Sequence, residues 1–263
     1  MKTTDRPLIL ISNDDGLDYG GIQTLIAIAR RLGDVVVVAP RQHQSGMASA
    51  ITVSRPLRAM LHSDEPGYRV WQVDGTPTDC IKLAFSHLLG GRTPDLVLSG
   101  INHGYNAGIS TIYSGTMGVV FEASAHLVPA IAFSHENYHP EADFTPCEAT
   151  IEQVISAVLR DGLPTGVCLN VNFPNSASYP GMKITTTAMG HWESEYEHRV
   201  DPHGQDYYWL TGHYECDDPD DDSTDMYWLG KGWITVTPCH LDQTDFAAMP
   251  VVGSMLNVAA TKG

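Results

Sequence analysis

Two carboxylates stand side by side at Asp14 and Asp15, directly after the apolar run LILIS (residues 8–12) and just before Gly16. Adjacent carboxylates repel, and both stay ionised only where a cation or hydrogen-bond donors compensate. Hard oxygen ligands of this kind suit Mg²⁺, Mn²⁺ or Ca²⁺ rather than zinc. The competing use is turn formation and helix capping, because Asp-Gly is also ordinary turn chemistry. Three further segments carry a comparable density of polar groups: residues 39–46 (APRQHQSG), 74–79 (DGTPTD) and 99–108 (SGINHGYNAG). In the first, Gly46 lets the backbone approach a ligand closely, whereas Ser45 taken alone reads as a helix N-cap. In the last, Asn102 and Asn106 sit among Gly100, Gly104 and Gly108, and Tyr113-Ser114-Gly115-Thr116 follows at a helix start. Amides and hydroxyls at a helix N-terminus make an anion site. Ser114, Gly115 and Thr116 are therefore a candidate phosphate cradle, with capping as the alternative. His103 stands beside Asn102 as an acid or a substrate contact. His135 and His139 are four apart, but a preceding strand and Pro140 argue against a helical ligand pair, and both read as surface residues. Neither G-x-G-x-x-G nor the Walker pattern occurs, which removes support for dinucleotide binding and P-loop chemistry.

These residues need elements to hold them. LILIS and VVVVA (residues 35–39) lack alternation, as strands buried on both faces do. Between them, residues 20–32 carry an apolar stripe at Ile22, Leu25, Ile26, Ala29 and Leu32, the mark of a helix. This β-α-β unit predicts parallel strands with a right-handed crossover. Residues 68–74, 95–100, 129–134 and 167–173 read as further strands. Residues 78–89, 116–127 and 145–160 read as helices. The expected fold is α/β, a Rossmann-like doubly wound, mostly parallel sheet, in which ligands bind beyond the carboxyl ends of the strands. All four polar segments fall at such ends.

After about residue 182 the helix alternation stops. MKITTTA, HWESEYEHRV, QDYYWLTG and WITVTPCH read as strands separated by turns. The expected division is a catalytic core over 1–182 and a β-hairpin plus C-terminal oligomerisation region over 183–263, the latter not an independent domain. Tyr207, Tyr208 and Trp209 need a burial partner that a hairpin cannot supply, which points to contact between subunits. The acidic run 217–225 (DDPDDDSTD) reads as a solvated loop, as such runs normally are, with calcium binding as the minor alternative because it lacks the full spacing of an EF-hand.

Acidic residues number 31 against 15 basic ones, giving a net charge of -16. Such a field repels nucleic acids and anionic membranes. It also means that work on phosphates needs a local cation. Five cysteines without C-x-x-C spacing read as reduced, mostly buried thiols. No segment approaches the ~20 apolar residues of a membrane span, and the first apolar run is too short for a signal-peptide core. A cytoplasmic protein is expected.

The segments ILISNDDGLDYGGI, VVAPRQHQSGMASAIT, VDGTPTDCIKLAF, PDLVLSGINHGYNAG, YSGTMGVVFEA and ITVTPCHLDQTD, in order over residues 8–246, resemble the SurE family of 5'/3'-nucleotidases. The resemblance implies one divalent metal ion per subunit, Mg²⁺ or Mn²⁺, held by Asp14, Asp15, Ser45 and Asn102. It implies phosphate-side roles for Asn106 and the Ser114-Gly115-Thr116 turn, with Asn13 and Gly46 set beside them as substrate-binding residues. Asp14, Asp15 and Asn106 are the expected catalytic groups. The implied reaction is hydrolysis of nucleoside 5'- and 3'-monophosphates by a homodimer or homotetramer. One departure is TMGVVFEAS, where many members have a glycine after the Glu; altered packing is expected there. A haloacid-dehalogenase-type phosphatase would want D-x-D-x-T, and this chain offers N-D-D-G-L. A non-catalytic nucleotide sensor on the same core is the reading of another class.

Overall fold

A computed structural model describes residues 6–259 of the chain. The first strand, β1 (Leu8–Ser12), is buried along its whole length. It leads through Asn13–Gly16 to α1 (Gly20–Leu32) and then to β2 (Asp34–Pro40), which pairs with β1 in parallel. A polar edge strand, β3 (Ala59–Glu65), runs antiparallel to β4 (Tyr68–Val73). Next come α2 (Pro77–Leu83), β5 (Leu96–His103), α3 (Gly115–Ala125), β6 (Ala130–His135), α4 (Glu148–Asp161) and β7 (Val167–Phe173).

The remaining strands are β8 (Met182–Ile184), β9 (Gly190–Glu193), β10 (Tyr196–Val200), β11 (Asp206–Leu210), β12 (His213–Cys216) and β13 (Ile234–His240). Two more helices, α5 (Asp225–Gly230) and α6 (Met249–Leu256), complete the elements among the described residues. Among the described residues one nine-stranded sheet has the order β3-β4-β2-β1-β5-β6-β7-β13-β8. The strands from β4 to β7 in that order are mutually parallel, and β13 joins β7 antiparallel. The mostly parallel α/β sheet expected from the sequence is thus the one observed.

The winding direction reverses at β1. From β1 the chain builds outward through β2 and β4, then returns to lay β5 on the other side. A crevice opens at the carboxyl ends of two neighbouring strands whose connections diverge in this way. Residues alternate across β1, so Ile9 and Ile11 enter a core with Leu25 and Ile28 of α1 and Ile151 and Ile155 of α4. Leu8 and Leu10 enter a second core with Ile81 of α2 and Met117 and Val120 of α3. Burial on both faces makes β1 a rigid base for the residues that follow it.

Several details depart from the sequence reading. The strand β3 was not expected, because AMLHSDE is an exposed edge whose polar residues hide the signal. HWESEYEHRV is two strands rather than one. β9 pairs with β12 and β10 with β11, forming successive halves of one antiparallel ribbon interrupted at Ser194, whose φ is 53°. The acidic run is solvated over Asp217, Asp218, Asp220 and Asp222, but its last residue, Asp225, is fully buried at the start of α5. His135 is not a surface residue. It ends β6 at 2 % exposure, its ring against Phe144 at 5.5 Å, and burial lowers its pKa. His139 is exposed, as expected. Ala123 and Ser124, at the departure in α3, are both buried. All five cysteines are free. Among the described residues no helix is long and apolar enough to cross a membrane.

Candidate active site

The carboxyl end of β1 delivers Asn13, Asp14 and Asp15, all buried. Asn13 folds back on its own loop: its Nδ2 donates to the Gly16 carbonyl at 3.0 Å, and its Oδ1 accepts from the Gly16 amide at 3.2 Å. Its side chain therefore shapes the turn. Asp14 Oδ1 accepts a 2.7 Å hydrogen bond from the Thr116 hydroxyl in the first turn of α3. Its other oxygen faces Gly115, where an added Cβ would lie 3.1 Å away and only 3.0 Å from the Asp14 Cβ. Glycine at 115 is what lets α3 approach β1 so closely. Burial, and then the neighbouring charge of Asp15, raise the pKa of Asp14 to about 6.

Asp15 lies between two imidazoles. His103 Nδ1 donates to Asp15 Oδ2 at 2.9 Å, and His43 Nδ1 lies 3.3 Å from Oδ1. His43 Nε2 pairs in turn with the Ser45 hydroxyl at 2.7 Å. The Gln44 amide donates to the Asp14 carbonyl at 2.7 Å, which fastens the loop after β2 to the loop after β1. Neither aspartate is paired with Lys or Arg among the described residues.

β5 and the loop that follows it carry Asn102 and Asn106 respectively. Asn102 Nδ2 donates to the Gly104 carbonyl at 2.8 Å, which leaves its Oδ1 as a free acceptor. Asn106 is the centre of a buried network that was not foreseen. Its amide donates to Asn172 Oδ1 at 2.9 Å, its Nδ2 to Ser134 Oγ at 2.8 Å, and its carbonyl accepts from Asn170 Nδ2 at 2.7 Å. The signal was present in VCLNVNF, where two asparagines alternate on an otherwise apolar strand. Beyond Asn106, the Gly108 amide donates to Asp225 Oδ2 at 2.9 Å, while the Ala188 amide donates to Oδ1 of the same carboxylate at 3.0 Å. Ser114 caps α3, accepting from the Met117 amide at 3.1 Å.

Asp14, Ser45, Gly46, Asn102, Asn106 and Ser114 thus line a single cleft of about 190 Å³. Asn13, Asp15, Gly115 and Thr116 do not line it. Asp15 and Thr116 act on residues that do, through the hydrogen bonds above. The segment 74–79 contributes no ligand: Asp79 closes a capping box with Thr76 and accepts from the Thr52 amide and hydroxyl, so its carboxylate is structural.

A doubly wound α/β protein with an acidic, oxygen-donor cleft at its switch point is the class these features define. A family model described as "Survival protein SurE" matches residues 9–194. The 5'-nucleotidase SurE of Cytophaga hutchinsonii is 46 % identical over 241 residues, covering 91 % of this chain and 93 % of that protein. That of Bacteroides fragilis is 42 % identical over 244 residues, covering 93 % and 95 %. The crystal structure of the SurE protein from Aquifex aeolicus superposes with a TM-score of 0.81 at 33 % identity, covering 95 % of this chain and all of that one. The chain belongs to the SurE family.

Proposed function

We propose that this chain is a metal-dependent nucleotidase that hydrolyses nucleoside 5'- and 3'-monophosphates to nucleoside and phosphate. The observation that carries this reading is the buried Asp14-Asp15 pair, without a Lys or Arg partner among the described residues, whose Asp14 meets the N-terminus of α3 at the switch-point crevice. The donors fit a hard divalent ion. Asp14, Asp15, Ser45 and Asn102 offer only oxygen, Asn102 has its amide nitrogen engaged and its carbonyl free, and the raised Asp14 pKa marks a site short of positive charge. Mg²⁺ or Mn²⁺, one per subunit, is the proposed occupant, and when bound it supplies Lewis-acid polarisation of a phosphoryl oxygen.

The chain's own groups do the rest. Thr116 and His103 fix the orientations of Asp14 and Asp15. One of the two carboxylates orients the attacking nucleophile and accepts its proton. The amides at the start of α3 and the Asn106 side chain, which Ser134 holds while Asn170 and Asn172 fix its backbone, stabilise the charge that builds on the phosphoryl oxygens. The same reading assigns catalysis to residues 1–182 and assembly into a homodimer or homotetramer to 183–263, with Tyr208, Trp209 and Leu210 exposed on the ribbon as contact residues. It also assigns the protein to the cytoplasm.

The test is phosphate release from a panel of nucleoside monophosphates with Mg²⁺ or Mn²⁺, with and without EDTA. Metal-dependent release is the expected result. Nucleotide binding without any release would replace the enzyme with a sensor.

A further inference from the structure

The floor of the cleft is oxygen-rich, but its mouth is aromatic. Beside Asp14, Asn102, Asn106 and Ser114 the same cleft is lined by Tyr138 and Trp192. Tyr138 comes from the loop after β6 and is 72 % exposed. It is nonetheless seated on the catalytic loop, since a Cβ at Gly104 would come 2.2 Å from its Cε1. Trp192 comes from the root of the ribbon. It is half-buried and braced from behind by Tyr214, edge to face, with ring centroids 6.3 Å apart. The Tyr214 hydroxyl donates to the Ala188 carbonyl at 3.1 Å and fills the space beside Gly108. Alternation along β9 sends His191 and Glu193 to the other face of the ribbon. The indole is therefore a pre-positioned surface turned to the cleft.

A phosphate ester that uses both floor and mouth has one anionic end and one flat π-surface. We propose that Tyr138 and Trp192 are the nucleobase-stacking, specificity-determining residues of this site, separating nucleotides from sugar phosphates. The proposal rests on the nucleotidase reading. The net charge of -16 gives a free phosphate ester no long-range attraction, so recognition beyond the phosphate has to come from short-range contact. Stacking tolerates any base, because every base has a π-face. Purine and pyrimidine monophosphates should therefore all be accepted, purines more tightly.

The experiment compares AMP with ribose 5-phosphate, which carries the same phosphate without a base, in steady-state kinetics of the wild type, Trp192→Ala, Tyr138→Ala and Trp192→Phe. Each alanine variant should raise KM for AMP on the order of ten-fold, with kcat little changed and kcat/KM for ribose 5-phosphate within about two-fold of wild type. Trp192→Phe should recover most of the AMP effect. A parallel fall for both substrates, or an unchanged KM for AMP, overturns the stacking role alone. A wild-type protein that cleaves ribose 5-phosphate and no nucleotide overturns the nucleotidase reading and the stacking role together.

Discussion

Replacing Asp14 with asparagine should make the metal-free protein more stable while abolishing turnover. Burial and Asp15 raise the Asp14 pKa from 3.8 to about 6. The folded state therefore holds this proton more tightly than the unfolded chain does. Stability then falls as pH rises between those two values, and the full penalty is present above about 6. A displacement of about two pH units corresponds to about 3 kcal/mol at neutral pH. Asparagine keeps the shape and an oxygen to accept from Thr116, but it carries no charge. In EDTA at pH 7.5, Asp14→Asn should unfold several degrees above wild type, by the ~2–4 °C per kcal/mol usual for chains of about this size. The difference should shrink as pH is lowered from about 6 and vanish only near 3.8, where the carboxyl is neutral in the unfolded chain as well. Thermal unfolding at two pH values, with and without Mn²⁺, and phosphate release under the same conditions provide the readouts. A variant no more stable than wild type in EDTA at pH 7.5, or one with near wild-type turnover, would refute the reasoning.

Three other outcomes follow from the same geometry. His103→Ala removes the donor on Asp15 and should weaken Mn²⁺ binding roughly 10- to 100-fold, measured by direct titration. Metal affinity should fall as pH drops through about 6, because protons then compete for Asp14; affinity independent of pH between 5 and 7.5 would count against Asp14 as a ligand. Asp225→Ala leaves the amides of Gly108, Ala188 and Met226 without their acceptor and should cost about 3 kcal/mol or more in denaturant unfolding, far more than Asp222→Ala in the solvated part of the same acidic run.

The parts of this molecule that were legible in its sequence are those whose signal is local. Strands β1 and β2 show as apolar runs because both faces are covered, and for VCLNVNF, apolar but for Asn170 and Asn172, the expected and observed limits coincide. The loops after β1 and β5 declared themselves by composition, and the fold brings them to one crevice. The illegible parts depend on partners distant in the chain. Asp225 reads as one more residue of a solvated run, because nothing nearby announces that its acceptors serve an amide 117 positions earlier. Asn170 and Asn172 make sense only once β7 lies beside β6 and below Asn106. His135 looked exposed because the ring that covers it, Phe144, arrives from the following loop. Asn13 shows the converse. It has the composition of a binding residue and the geometry of a turn.

The carboxylate of Asp225 grips the loop after β5 with one oxygen and the base of the ribbon with the other. It is in effect a shared pivot. A change in the ribbon's tilt, as from mutation near its root, bears on the backbone two residues from Asn106. The position of the ribbon's root is thereby tied to that of the loop that carries Asn106.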